Sequence, residues 1–103
     1  MTKFIYAFHG GAMPETPEEG EKVMAAWRSW MESLGDAMID PGAPVGMSKT
    51  VTPGGVSDDG GSNPLSGYTV VNAANIDEAV EMSKGCPILE SGGSIEVAEC
   101  MDM

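Results

Sequence analysis

With 103 residues, 42% of them apolar and 20% charged, the chain is long enough for one hydrophobic core and little more. Sixteen acidic side chains against five basic ones leave a formal charge of −11. Such a field repels phosphate backbones and anionic lipid alike, so neither nucleic acid nor membrane is an expected partner.

Lys3 to Phe8 predicts a first strand, with Phe4, Tyr6 and Phe8 on one face and Ile5 and Ala7 on the other. Both faces are apolar, as in a central strand. Gly10, Gly11 and Pro14 end it, which also makes the apolar run too short for a signal segment. No stretch approaches the roughly 20 apolar residues of a membrane span, and two cysteines make no disulfide framework. A reducing cytoplasm is the expected setting.

Thr16-Pro17-Glu18-Glu19 is a helix start, with Thr16 as cap, Pro17 at the first helical position and Glu19 completing a capping box. Val23, Met24, Trp27, Trp30, Met31 and Leu34 then fall on one helical face, and Gly35 stops the helix. Asp36 to Asp40 reads as a short strand, Pro41 to Pro44 as a turn, and Met47 to Thr52 as a second extended piece. From Pro53 to Pro64 the chain is too polar and glycine-rich for regular structure, which predicts a long loop that is mobile or docks across a dimer.

Gly67 to Ala73 is the next strand. Asn75 caps a second helix with Glu78 as its partner, and Ile76, Ala79, Val80 and Ser83 share the inner face until Gly85 and Pro87 end it. Ser94 to Met101 alternates as a final strand. The order β-α-β-β-α-β predicts an α+β, ferredoxin-like antiparallel sheet with two helices on one face, as one domain over residues 1–103. Two helices leave the other apolar sheet face bare, and a homodimer is the simplest cover for it.

The segments Phe8-His9-Gly10-Gly11, Ser48-Lys49-Thr50-Val51, Asn63-Pro64-Leu65-Ser66-Gly67-Tyr68, Gly85-Cys86-Pro87 and Gly93-Ser94-Ile95-Glu96-Val97 occur in this order of elements. Together they resemble the YCII-related family of the dimeric α/β-barrel superfamily, over nearly the whole chain. That resemblance implies two sheets meeting face to face in a dimer and, in each protomer, a cavity between sheet and helices. It also implies a small-molecule role, with activity attributed in the family chiefly to a His and Asp pair near the cavity.

His9 is the only histidine and stands where a central strand gives way to glycines, so it is the candidate for proton transfer. Asp36 and Asp40 flank the second strand and are candidate orienting acids, and Tyr68 can supply a hydroxyl. The competing reading makes His9 a hydrogen-bonded residue that fixes its turn, and makes both aspartates ordinary turn residues. Trp27, Trp30 and Met31 are candidate ligand contacts, with plain core as the alternative. Cys86 follows a helix end, where the negative dipole disfavours a thiolate. No ligand spacing specifies a metal and no motif specifies a cofactor. Three functions stay open: an enzyme using His9, a binder of a small apolar ligand, and an interaction module.

Overall fold

The computed structural model describes residues 1–102. Strand β1 is Thr2–His9, helix α1 Pro17–Leu34, β2 Met38–Pro44, β3 Thr50–Thr52, β4 Gly55–Ser57, β5 Leu65–Ala73, α2 Ile76–Ser83 and β6 Ser94–Glu99. Four strands form one sheet in the order β2-β5-β1-β6 with every neighbouring pair antiparallel, while β3 pairs only with β4. This is the expected ferredoxin-like α+β arrangement.

The strict alternation in β1 buries Phe4, Tyr6 and Phe8 under the helices, and cross-strand pairing sets them against Val71, Thr69 and Gly67 of β5. Trp30 and Leu34 of α1 and Ala79 of α2 complete this layer. Trp30 is tied on several sides. Its ring centroid lies 6.0 Å from Tyr6 and 5.7 Å from Trp27, and its indole N–H donates to the carbonyl of Met82 at 3.1 Å. The buried Tyr6 hydroxyl donates to the carbonyl of Ala79, so both large polar-tipped aromatics are satisfied by α2.

Both helix caps form as the sequence predicts, through Thr16 Oγ1 to the Glu19 amide at 3.1 Å and Asn75 Oδ1 to the Glu78 amide at 2.9 Å. The glutamates bond back one residue earlier than a capping box requires, to the amides of Glu15 and Ala74. In α2 only Ala79 and Ser83 are buried. Ile76 and Val80, expected on the inner face, are 47% and 37% exposed.

Two stretches differ from the sequence reading. The expected turn Pro41 to Pro44 is the continuation of β2, which lies at the sheet edge, where prolines forfeit no ladder bond. The strand passes through it by irregular register between Met38 and Asp40 and again between Asp40 and Ala43. Gly42 makes that possible with a φ of 69°, and a Cβ at this position would lie 1.8 Å from the carbonyl oxygen of Tyr68. The Pro41 carbonyl, out of the ladder, accepts from the buried Thr69 hydroxyl at 3.0 Å.

The second difference is in the stretch Pro53 to Pro64, read as an irregular loop, where β4 folds back on β3, itself the end of the extended piece expected from Met47 to Thr52. Thr50, Val51, Thr52 and Val56 are β-branched, and Pro53-Gly54 between them is a tight-turn pair whose local signal outweighs the surrounding glycines and acids. Lys49 with Asp58 at 3.3 Å and the Thr50 hydroxyl with the Asp59 carbonyl at 2.7 Å extend the pairing.

Burial under the helices raises the Tyr6 phenol to about 12, with the neighbouring Cys86 adding to the shift. Burial likewise raises the Cys86 thiol to about 11, partly offset by a hydrogen bond to its sulfur from the backbone at Ile88. Their ordinary values are 10.0 and 9.0, so the unfolded chain loses these protons first and stability must fall as pH rises. The contribution is complete below about pH 9 and lost progressively toward pH 12, at roughly 2–3 kcal/mol per group. In urea unfolding across that range, Cys86→Ala is expected to flatten the decline between pH 9 and 11. An unchanged slope in the variant would remove thiol burial as a cause.

Candidate functional site

Burial along the apolar stripe of α1 is graded. Trp30 and Leu34 are buried and Trp27 and Met31 half-buried, but Val23 and Met24 are 39% and 59% exposed. The C-terminal half of the helix is therefore packed on the sheet, and the N-terminal half stands away from it. A cavity of about 770 Å³ occupies the resulting wedge. Its walls are Val23, Met24, Trp27 and Met31 of the α1 stripe, Phe8 and Thr69 on the sheet, the irregular part of β2, and the segments Gly10–Pro14 and Pro87–Ser91.

Close approach of the chain shapes one end of this cavity. The Ala12 amide donates to the Ser91 carbonyl at 3.0 Å. A Cβ on Gly93 would lie 2.6 Å from the Ile88 side chain and 2.8 Å from the His9 carbonyl oxygen, so only glycine fits where β6 begins. Trp27 meets Phe8 edge to face, with centroids 5.3 Å apart, and this pair is the aromatic part of the wall.

Of the candidate ligand contacts, Trp27 and Met31 border the cavity. Trp30 does not. Its ring is core and its single donor is already spent on Met82. Tyr68 borders the cavity through its place on β5, but the alternation of that strand turns its side chain toward the other sheet face. Asp40 accepts from the Gly42 amide at 2.9 Å and so supports the β2 irregularity. Asp36 lies exposed in the short 3₁₀ turn after α1. Neither aspartate, nor Tyr68, is a hydrogen-bond partner of His9.

His9 follows the alternation of β1 onto the face away from the helices, rather than to the cavity mouth that its strand-end position suggests. Phe8 and Gly10 border the cavity on either side of it in sequence, and His9 does not. Its Nδ1 faces the carbonyls of Asn63 at 3.0 Å and Pro64 at 3.3 Å, and its Nε2 faces Glu96 Oε1 at 3.2 Å. Carbonyls only accept, so Nδ1 carries a hydrogen. Nε2 is then the atom able to exchange a proton, and Glu96 stands where a reacting group would approach. Glu96 was not legible as a partner in the sequence. Ser94 opposes His9 and Glu96 opposes Ala7, and only that register brings the two side chains together.

Cys86 is buried with its thiol pKa pushed up, which keeps it protonated and unreactive, while Cys100 is exposed. Among the described residues no group of three or more His, Cys, Asp or Glu side chains is placed to hold a metal ion. No helix among them is long and apolar enough to cross a membrane.

No model of a known protein family matches the sequence, and no curated protein does. Among solved structures, the whole chain superposes on 96% of 5-chloro-2-hydroxyhydroquinone dehydrochlorinase (TftG) from Burkholderia phenoliruptrix AC1100, in complex with 2,5-dihydroxybenzoquinone. The TM-score is 0.58 and the sequences are 18% identical. The likeness is one of fold.

The carbonyls that hold the His9 ring belong to the end of the segment that follows the β3-β4 hairpin. His9→Ala is expected to raise hydrogen exchange at the amides from Asp58 to Leu65 several-fold while leaving those of Phe4 to Ala7 unchanged. Equal exchange in both proteins would show that the segment is held by something other than the imidazole.

Proposed function

We propose that the chain binds a small, largely apolar molecule in the cavity beneath α1. The observation that carries this reading is the graded burial of the α1 stripe over a space of about 770 Å³, within the roughly 300–1,000 Å³ of small-molecule sites. Apolar surface predominates in the wall, and its charged side chains are Lys22, Arg28 and Glu90. A dehydrochlorinase of the same fold, solved with a quinone, supports a small-molecule role.

A ligand present at about 100 times its dissociation constant stabilises a protein by about 2.7 kcal/mol, which for a chain of this size raises Tm by about 10 °C or more. Screening small aromatic compounds by thermal shift is expected to yield such ligands. Met24→Trp, which narrows the entrance from an exposed helix position, is expected to weaken them at least tenfold. Ligands that bind the variant equally well would place their site elsewhere.

A second reading, a small-molecule enzyme with His9 in proton transfer, is favoured by one geometric fact: Nδ1 is held by carbonyls and Nε2 is poised beside a carboxylate. Under the binding reading His9→Ala leaves affinity intact and there is no turnover to lose. Loss of turnover at unchanged affinity would select the enzyme instead.

The resemblance to YCII-related proteins adds a homodimer, supported by the bare sheet face where Ile5, Ala7, Val70 and Ala98 lie together. A second copy of this face covers them most simply. Light scattering at micromolar concentration is expected to give twice the 10.7 kDa chain mass. A stable monomer there would sink the dimer.

A further inference from the structure

The charges around the cavity run against those of the chain. Roughly a quarter of the residues border the cavity, yet of sixteen carboxylates only Glu90 does, while two of the five cations, Lys22 and Arg28, do. The contrast is sharpest on α1 itself. That helix carries Glu18, Glu19, Glu21 and Glu32 besides Lys22 and Arg28, and both cations but none of the four carboxylates border the cavity.

The two cations are also unspent. Lys49 pairs with Asp58 and Lys84 with Glu81, but among the described residues Lys22 and Arg28, like Lys3 away from the cavity, form no ion pair, although Glu18 and Glu32 stand one helical turn from them. They lie six residues apart and so about 120° apart on the polar side of the helix, Arg28 about 40° past Met24 and Lys22 about 80° short of Trp30, so both meet the cavity at its rim through their long side chains. A neutral ligand gains nothing from this placement. An organic acid gains a cation at the rim while its apolar body sits against Trp27 and Phe8, and the surrounding acidic surface disfavours the same anion elsewhere.

We infer that the cavity selects amphipathic anions, an apolar and preferably aromatic body bearing one acidic group, with Lys22 and Arg28 as the residues that set that preference. The inference rests on the cavity being a binding site. Its test uses two probes with the same ring system, 1-anilinonaphthalene-8-sulfonate and the neutral N-phenyl-1-naphthylamine, titrated by fluorescence into the full chain.

At low salt the sulfonate is expected to bind about fivefold more tightly than the neutral probe, the order of magnitude for two exposed charge contacts. High salt should erase the difference. The exposed pair of substitutions Lys22→Gln and Arg28→Gln should erase it too, bringing the sulfonate's affinity to that of the neutral probe measured on the same variant, with the circular dichroism spectrum unchanged. Equal binding of both probes to the unaltered protein overturns the charge preference and leaves the cavity as a binding site. A preference that survives the double substitution also overturns it, since the cations would not be its source. Binding of both probes that is indifferent to Met24→Trp, or no binding at all, overturns the cavity reading and this inference with it.

Discussion

The burial of Trp30 is the constraint on which the rest of the structure depends. Its ring is fixed between Tyr6 and Trp27, and its one donor is anchored on the α2 end of the molecule at Met82. Tyr6, one layer below, is anchored on α2 in the same way through Ala79. Two helices and the central strand are therefore joined by aromatic side chains whose polar tips are satisfied, an arrangement that tolerates neither rotation of α1 nor withdrawal of α2. Substituting either aromatic removes a large apolar volume and a buried hydrogen bond to α2 at once.

The cavity follows from where that anchor sits. Trp30 and Leu34 belong to the C-terminal half of α1, so the helix is pinned at one end and free to diverge at the other. The apolar stripe continues into the divergent half through Trp27, Met24 and Val23, leaving apolar surface facing open space. Leaving such surface in contact with water forgoes about 25 cal/mol for every Å² that packing would have removed. An apolar ligand there would recover part of that loss. The irregular β2 edge contributes in the same sense, because Gly42 bows that strand and Thr69 satisfies the carbonyl that results.

The sheet separates two chemistries that stand close together in sequence. Phe8 and Gly10 face the apolar cavity, whereas His9 between them faces the other side, where Glu96 and the carbonyls of Asn63 and Pro64 surround it. An imidazole with both nitrogens directed at acceptors holds its neighbours in place. The His9 side chain is 13% exposed against 68% for Glu96, so the ring is largely covered while the carboxylate stands in solvent. Ile5, Ala7, Val70 and Ala98 lie on the face that the ring occupies, so His9 and the bare apolar patch belong to the same surface.

The amino-acid sequence by itself determined the periodic elements. Alternation in β1, the apolar spacing of α1, and the caps at Thr16 and Asn75 are local, and each appears where its pattern places it. Their order was enough for the ferredoxin-like topology, and the gap between two helices and a two-faced sheet was readable from the same pattern. Tertiary structure decided everything that depends on register and on where packing stops. Pro41 to Pro44 reads as a turn until the edge position of β2 makes its prolines harmless, and β4 is hidden among glycines and acids until it pairs with the extended piece before it. Trp27 and Trp30 stand on the same helical stripe, and only the tilt of α1 makes one a cavity wall and the other core. The partnership of His9 with Glu96, rather than with Asp36 or Asp40, required the β1-β6 register. Spacing along a chain specifies which side of an element a residue occupies, but the neighbour on that side comes from a distant segment, and its identity is a property of the pairing alone.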